Sequence, residues 1–450
     1  MRERDTRPLT RVGGMPRVVS KGALGAFGEV RRDHDAALRR WQRDYGGVFL
    51  LEFGPTSFVV AADAAAASEM FIDRAHEITR AGLVYEPLKA LFGQSSMLVS
   101  EGPEWRERRR TAQPYFRQRA LAALADRVHS TLHHCLGEIE PGPNELYQFS
   151  GSVALSVSLA TVFGQDLPHS EYPRLFEAIN YAIRAIAIGW VSSRLPRWLP
   201  IPGRRHLRRE TAYIHEVLEG LAQARLAKAD HGDDLLGMLL YMVDNGTLSR
   251  EELSWEAITL LIAGYETTGN AMAWALYEIA KDPELAAGIR AEADELDDAP
   301  LTTPKRLPFT TKVFKEAMRM YPSGLWLPRT ATEDTTLGGY PIPEGTSVVC
   351  SPYLVHHDPH AWTDPERFDP ERFAEDSDEP RHRFAYMPFG LGQHMCVGQH
   401  LAMLEATSLL AHFVRDWDLA AIPEREPKIE VSTTMSTRDG IWIDCQRRAG

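Results

Sequence analysis

One cysteine, Cys396, lies in the glycine-rich run Phe389-Gly390-Leu391-Gly392-Gln393-His394-Met395-Cys396-Val397-Gly398. Glycine lets a backbone take positive φ and approach a flat ligand more closely than side chains permit. An apolar helical pattern begins near Val397, and a helix N-terminus turns N–H groups and partial positive charge toward a sulfur placed just before it. The expectation is a stabilised thiolate that serves as a metal ligand; the alternative, for a cysteine taken alone, is a buried inert thiol. Far upstream, Ala263-Gly264-Tyr265-Glu266-Thr267-Thr268 interrupts a long helical pattern with a glycine, an acid and two hydroxyls. Glycine costs about 1 kcal/mol inside a helix, and buried polar groups need partners. Propensity therefore does not explain the run. A functional demand does, with a threonine bonded back to its own helix as the alternative.

Two further patterns carry charge. Glu316-x-x-Arg319 falls on the helical segment Thr311–Met320, ahead of Tyr321-Pro322, and Phe368-Asp369-Pro370-Glu371-Arg372-Phe373 follows downstream. Residues at i, i+3 share a helix face, although such a pair in isolation is an ordinary surface ion pair. Trp105-x-x-x-Arg109 presents an indole N–H and a guanidinium within one helical turn, and Arg329 and His394 add further donors suited to carboxylates.

In this order and spacing the motifs resemble those of the cytochrome P450 family: the haem-binding loop F-G-x-G-x-[RH]-x-C-x-G, the A-G-x-[DE]-T-T motif, and the E-x-x-R and P-E-R-F pair. The resemblance implies haem b with Cys396 as axial thiolate, Phe389, Gly390, Gly392, Gly398 and Ala263 beside the cofactor, and Trp105, Arg109, Arg329 and His394 on its propionates. It implies that Gly264 makes room for dioxygen, that Thr267 hydrogen-bonds the oxygen held at the iron, and that Glu266 relays protons. Glu316, Arg319 and Arg372 become a buried structural charge cluster. His394 stands where many members carry arginine. An unperturbed imidazole titrates near roughly 6.5, so haem affinity is expected to vary between mildly acidic and neutral pH.

The implied reaction inserts one oxygen atom of O2 into an apolar small molecule, with NAD(P)H electrons arriving through a ferredoxin or flavodoxin and its reductase. An arginine excess at Arg106, Arg108, Arg110, Arg117 and Arg119 marks the expected docking face for such acidic partners. By position in the family pattern the pocket is lined by Leu83, Val84, Ile183, Ile186, Leu260, Ala263, Leu325, Trp326 and Thr434. That apolar set suits a terpenoid, fatty acyl chain, steroid or polyketide of bacterial secondary metabolism. Peroxygenases and isomerases or dehydratases on the same fold, and non-catalytic haem-binding helpers or sensors, are the alternatives. Those branches often lose the acid–threonine pair, or the cysteine or oxygen motif, all of which this chain keeps.

The elements that must position these residues are legible in outline. Ser249-x-x-Glu252 is a capping box, and Asp282-Pro283 ends the same helix, giving roughly 45 Å of continuous helix. Val48–Phe53 and Ser57–Ala62 read as a hairpin about Gly54-Pro55. A second β-prone stretch covers Gly338-Gly339-Tyr340-Pro341 and Thr346–Cys350, and a last strand lies near Ile441–Ile443. A proline-rich loop, Ser193–Gly203, is expected to join the two helices that roof the pocket. The fold class is mostly α with small β-sheets, the cytochrome P450 fold, as a single domain over residues 1–450 whose first twenty residues form a flexible lead-in.

With 450 residues, 44% of them apolar, the chain can bury a large core. Its four cysteines, Cys135, Cys350, Cys396 and Cys445, include no C-x-x-C pair; this argues against a zinc site or disulfide framework and suits a reducing cytosol. A net charge of −12 disfavours nucleic acid as a partner. The charged N-terminus lacks a signal-peptide core, and no apolar run is expected to reach the roughly 18 residues of a membrane span. The reading is a cytoplasmic, soluble monomer whose electrons come from separate proteins.

Overall fold

The computed structural model describes the chain outside residues 1–13, 19–25, 27–28, 31–32, 54–55, 83–84, 165–170, 193–202, 228–231, 233, 296–303, 376, 378–381, 432–433 and 449–450. The expected turn at Gly54-Pro55 and nearly all of the proline-rich loop lie outside the described residues. The longer helices, in chain order, are α1 (His34–Tyr45), α2 (Gly102–Ala112), α3 (Ala125–Leu136), α4 (Leu146–Phe163), α5 (Tyr172–Ser192), α6 (Arg204–Ala227), α7 (Leu235–Asp244), α8 (Arg250–Lys281), α9 (Pro283–Asp294), α10 (Pro308–Met320) and α11 (Gln399–Asp416). The fold is mostly helical with small sheets, as the sequence implies.

Helix α8 organises the molecule. Its capping box is formed: Ser249 Oγ accepts the Glu252 N–H, and Glu252 Oε2 accepts the Ser249 N–H at 2.9 Å. Thirty-two residues follow without a break, about 48 Å of helix. It packs along α4, and small residues set the approach. A Cβ on Gly269 would lie 2.9 Å from Gly151 Cα, and one on Gly264 would lie 2.8 Å from Ser158 Oγ. Against α10, Trp274 of α8 stacks on Tyr321 at 4.2 Å with the rings 7° from parallel, and the Tyr321 hydroxyl donates to Glu278 at 2.7 Å.

Helix α4 corrects one expectation. Its 18 residues have a mean hydropathy of 1.3, enough by length and composition to cross a membrane. Here it packs against α3 and α8, with Val153, Leu159 and Phe163 fully buried. It is a core helix.

The main sheet contains β1 (Val48–Phe53), β2 (Thr56–Ala61), β3 (Ile78–Thr79), β5 (Leu327–Ala331) and β8 (Ser347–Cys350) in the order β1-β2-β8-β5-β3. The strand β4 (Gly142–Glu145) belongs to a second sheet. The β2–β8 pair is parallel and its neighbours are antiparallel. The expected β-prone stretch supplies β6 (Thr335–Leu337) and β7 (Tyr340–Ile342) besides β8, and the C-terminal region adds β9 (Trp417–Ala421), β10 (Ile429–Val431), β11 (Met435–Thr437) and β12 (Trp442–Arg447). Helix α11 starts at Gln399, two residues later than the apolar pattern suggests, because Gly398 is its N-cap.

Candidate functional site

The cysteine loop is built on two left-handed glycines, Gly390 (φ 74°) and Gly392 (φ 70°). A Cβ on Gly392 would also meet the Phe71 carbonyl at 2.3 Å, so this position admits only glycine on two independent grounds. The loop closes when the Cys396 N–H donates to the Phe389 carbonyl at 2.8 Å, and Arg109 fastens it from α2 by donating to the Met395 carbonyl at 2.7 Å. Cys135, Cys350 and Cys445 are buried, whereas Cys396 keeps accessible surface. Burial pushes its thiol up, against the pull of the Gly398 N–H, Arg109 and the Gln399 N–H. These donors are the groups that would stabilise the thiolate once a metal ligates the sulfur.

The facing wall comes from α8. Leu261, Ile262, Tyr265 and Thr268 are buried, while Ala263 and Thr267 are exposed and Leu260, Gly264 and Glu266 are half-buried. Ala263 and Thr267 stand one turn apart and form an accessible strip in the middle of α8, between buried neighbours. Thr267 Oγ1 donates to the Ala263 carbonyl at 2.7 Å. The back-bonded arrangement is therefore present, and it leaves the hydroxyl oxygen as an acceptor. A Cβ on Gly264 would meet Ser158 Oγ of α4 at 2.8 Å, so helix packing gives this position a reason to stay small beside the expected room for dioxygen.

Glu266 accepts a hydrogen bond from Thr434 Oγ1 at 2.7 Å. Burial pushes its carboxyl up to about 7, a shift that the Thr434 bond restrains. Asn270, one turn along, donates to Thr434 Oγ1 at 3.1 Å and to the Met435 carbonyl at 3.3 Å. The hydroxyl of Thr434, an expected lining residue, is thus held between Asn270 and Glu266. Leu325 departs from the expected lining: it has no accessible surface and packs in a core with Phe49, Val349 and Met435. Ile183 is buried and Trp326 half-buried. Leu83, Val84 and the Ile186 side chain lie outside the described residues.

Glu316, Arg319 and Arg372 come together beneath the loop. Arg319 grips Glu316 through two parallel bonds, Nε to Oε2 at 2.7 Å and Nη2 to Oε1 at 2.8 Å, with both residues fully buried. Arg372 Nε lies 3.4 Å from Glu316 Oε1. The Asp369 N–H donates to the same oxygen at 2.9 Å, and Arg319 donates to the carbonyls of His356 and Arg367 at 2.9 and 3.2 Å. His356 in turn accepts the Met387 N–H at 2.9 Å. The cluster therefore ties α10 to the segment that enters the cysteine loop.

A second group of cations has too few anions. Trp105 and His394 are in ring contact at 4.0 Å, and His394 Nε2 is 2.7 Å from Glu101 Oε1. Arg329 donates to the Tyr85 hydroxyl at 2.9 Å and sits over the Phe71 ring. Arg80 was not singled out in the sequence, yet it joins them. Burial, with Arg329 close by, pushes its guanidinium down to about 10, and its Nε has no partner. The two-residue strand β3 pairs with β5, Thr79 opposite Thr330, which carries Arg80 beside Arg329; so short a strand leaves no periodic signal. Burial, aided by Arg80 and Arg329 and opposed by Glu101, pushes His394 down to about 4.

Clustered buried cations are costly without matching anions. With an accessible cysteine sulfur nearby in sequence and a cradle that excludes any side chain at Gly392, the residues fit haem b. Its two propionates would supply the anions that Arg80, Arg109 and Arg329 lack, and His394 would offer a ring N–H beside them. Arg108, by contrast, is not on the expected docking face. It is buried, ion-paired with Glu252 and 3.7 Å from Glu256. Arg106, Arg110, Arg117 and Arg119 are exposed.

Comparison with known proteins gives the same answer as the site. A family model for cytochrome P450 matches residues 15–440. A cyclooctat-9-en-7-ol 5-monooxygenase from Streptomyces melanosporofaciens is 30% identical over 355 residues, 76% of this chain and 76% of that protein. Cyclooctatin synthase from the same organism is 28% identical over 409 residues, 87% of each chain. Protein LUTEIN DEFICIENT 5 of Arabidopsis thaliana is 27% identical over 441 residues, 90% of this chain and 72% of its own. With the match spanning the sheet, the long helix and the cysteine loop, the chain belongs to the cytochrome P450 family and is a monooxygenase of that family, using haem b, O2 and NAD(P)H electrons delivered by redox partners.

Proposed function

We propose that this enzyme hydroxylates a terpenoid-sized apolar molecule in bacterial secondary metabolism, as a cytoplasmic monomer served by a ferredoxin or flavodoxin and its reductase. The observation that carries the reading is the accessible strip of α8 at Ala263 and Thr267, set between the buried Leu261, Ile262, Tyr265 and Thr268. Leu260, one turn before Ala263 on α8, is half-buried, and no charged side chain among the proposed lining residues offers an anchor for a polar substrate. The two relatives with cyclooctatin-related names favour a terpenoid over the other apolar classes.

Haem, when bound, supplies the iron that activates dioxygen, with Cys396 as its protein ligand. The chain's own groups handle position and protons. Arg80, Arg109, Arg329 and His394 hold carboxylates at the cofactor's edge. Thr267 offers an oxygen acceptor at the wall. Glu266, pushed up to about 7, can take and release a proton near neutral pH, as a relay group must. Arg106, Arg110, Arg117 and Arg119 form an exposed basic patch on a chain of net charge −12, suited to steering an acidic partner.

The test begins with the reduced, CO-bound spectrum, where a strongly red-shifted Soret band reports the Cys396 thiolate. A titration against diterpene alcohols, fatty acids, steroids and macrolactones follows. Conversion of the iron from low to high spin by the terpenoids alone, with product formed from a surrogate ferredoxin and NADPH, supports the reading. Turnover with peroxide alone would replace it with a peroxygenase.

A further inference from the structure

Away from the haem pocket, three histidines meet where α3 packs against α11: His129 and His133 on α3, and His412 on α11. We propose that these side chains form a binding site for one divalent transition-metal ion of the nitrogen-preferring class, such as Zn2+. One ligating nitrogen from each lies within 4.8 Å of the others, and the ring centroids are 4.6, 4.8 and 4.9 Å apart. His412 Nε2 and His129 Nδ1 are 3.2 Å apart. A tetrahedral ion with metal–nitrogen bonds of about 2.0–2.1 Å holds its ligand nitrogens roughly 3.3 Å apart. The pair already has that spacing, and His133 brings a third ring nitrogen within 4.8 Å of both.

The sequence spacing agrees. His129 and His133 are at i, i+4, the separation that puts two imidazoles on one face of a helix for a shared ion. Burial is graded across the site: His412 is buried, His129 half-buried and His133 exposed. This provides a fixed inner ligand and an entry path from solvent, both of which a metal site requires. The neighbouring charges nearly balance. Arg415 lies close by with its Nε 3.2 Å from Asp416, and Asp126 stands near His129. Three imidazoles with a fourth position open to water suit Zn2+, Cu2+ or Ni2+ and do not suit Mg2+ or Ca2+.

Such an ion would clip α3 to the helix that follows the cysteine loop. His412 stands thirteen residues beyond Gln399, about 20 Å along α11, so the role is structural and separate from the haem chemistry.

Tag-free, haem-loaded protein, stripped with a chelator, would be titrated with Zn2+ by calorimetry, and Co2+ would be followed by its visible absorption. One saturable equivalent of micromolar or tighter affinity is expected, with a rise in Tm. His133→Ala, an exposed position, should weaken binding at least tenfold and abolish the Tm rise, with an unchanged haem spectrum. His76→Ala, which disrupts the exposed His76, Glu77 and Glu333 group, should leave binding intact. No saturable binding, or equal affinity in His133→Ala, would reduce the trio to a hydrogen-bonded ring cluster and overturn the proposal.

Discussion

Thr434 and Glu266 are joined by a 2.7 Å hydrogen bond that ties the segment entering β11 to the middle of α8. The bond places a carboxyl with a raised pKa on the long helix, one residue from the threonine at the cavity wall. It also commits Thr434 to the acid rather than to the substrate.

That carboxyl sets a pH signature. Its folded pKa of about 7 exceeds the ordinary 4.5, so the native state keeps a proton that the unfolded chain has lost. Its contribution to stability is full below about 4.5 and is lost as pH rises through 7. Glu266→Gln, which cannot ionise, should match wild type near pH 5 and exceed it at pH 8, by at most roughly 3 kcal/mol. Thermal melts at the two pH values check this; a variant less stable at pH 8 would contradict it.

Removing Glu316 leaves two buried guanidiniums without their carboxylate, a loss of roughly 3–5 kcal/mol. Glu316→Ala should therefore emerge without haem or fail to fold. Haem content of the purified variant is the measurement, and a full complement would refute the structural role.

His356 should contribute acid lability. Burial, and then Arg319, push its imidazole down to about 3, so it stays neutral in the fold where the unfolded chain takes a proton. Its contribution is complete above about 6.5 and declines as pH falls toward 3, at about 1.4 kcal/mol per pH unit. In His356→Gln the number of protons taken up on unfolding at pH 5 should fall by about one, read from urea midpoints across pH.

Gly264 separates two explanations. If helix packing requires it, Gly264→Ala costs about 1–3 kcal/mol by overpacking. The added Ser158→Ala change removes the obstructing oxygen and should return the protein to wild-type stability or better, because alanine is the stronger helix former. Unrescued loss of stability in the double variant would show that the packing account is wrong.

The arginines of α2 should divide by burial. Arg110→Glu, at an exposed position, should slow reduction by ferredoxin and weaken its salt dependence without lowering Tm. Arg108→Gln should lower Tm, because Glu252 and Glu256 lose their internal partner. Stopped-flow reduction rates and melts distinguish the two.

Much of this was legible in the sequence, for reasons that differ between elements. The capping box at Ser249 and the i, i+3 pair at Glu316 and Arg319 are local patterns, and local geometry honoured them. Gly392 announced a left-handed turn. What escaped depended on contacts between distant segments. Arg80 reaches the cation cluster only through the β3–β5 pairing, and Arg108 turns inward only because Glu252 and Glu256 of α8 await it. Gly264 answers to Ser158 on another helix, and Leu325 faces a core that no spacing rule predicts.

The crossing of α4 and α8 has a consequence for how substrate range can change. With Gly269 set close against Gly151, and Gly264 against Ser158, the two backbones pack with no room for a side chain between them. The wall that carries Ala263 and Thr267 is therefore a fixed datum, like the bed of a vice. Accommodation of larger or differently shaped molecules falls to the opposing jaw, and there amino-acid exchange can widen the repertoire without disturbing the proton-handling groups on the bed.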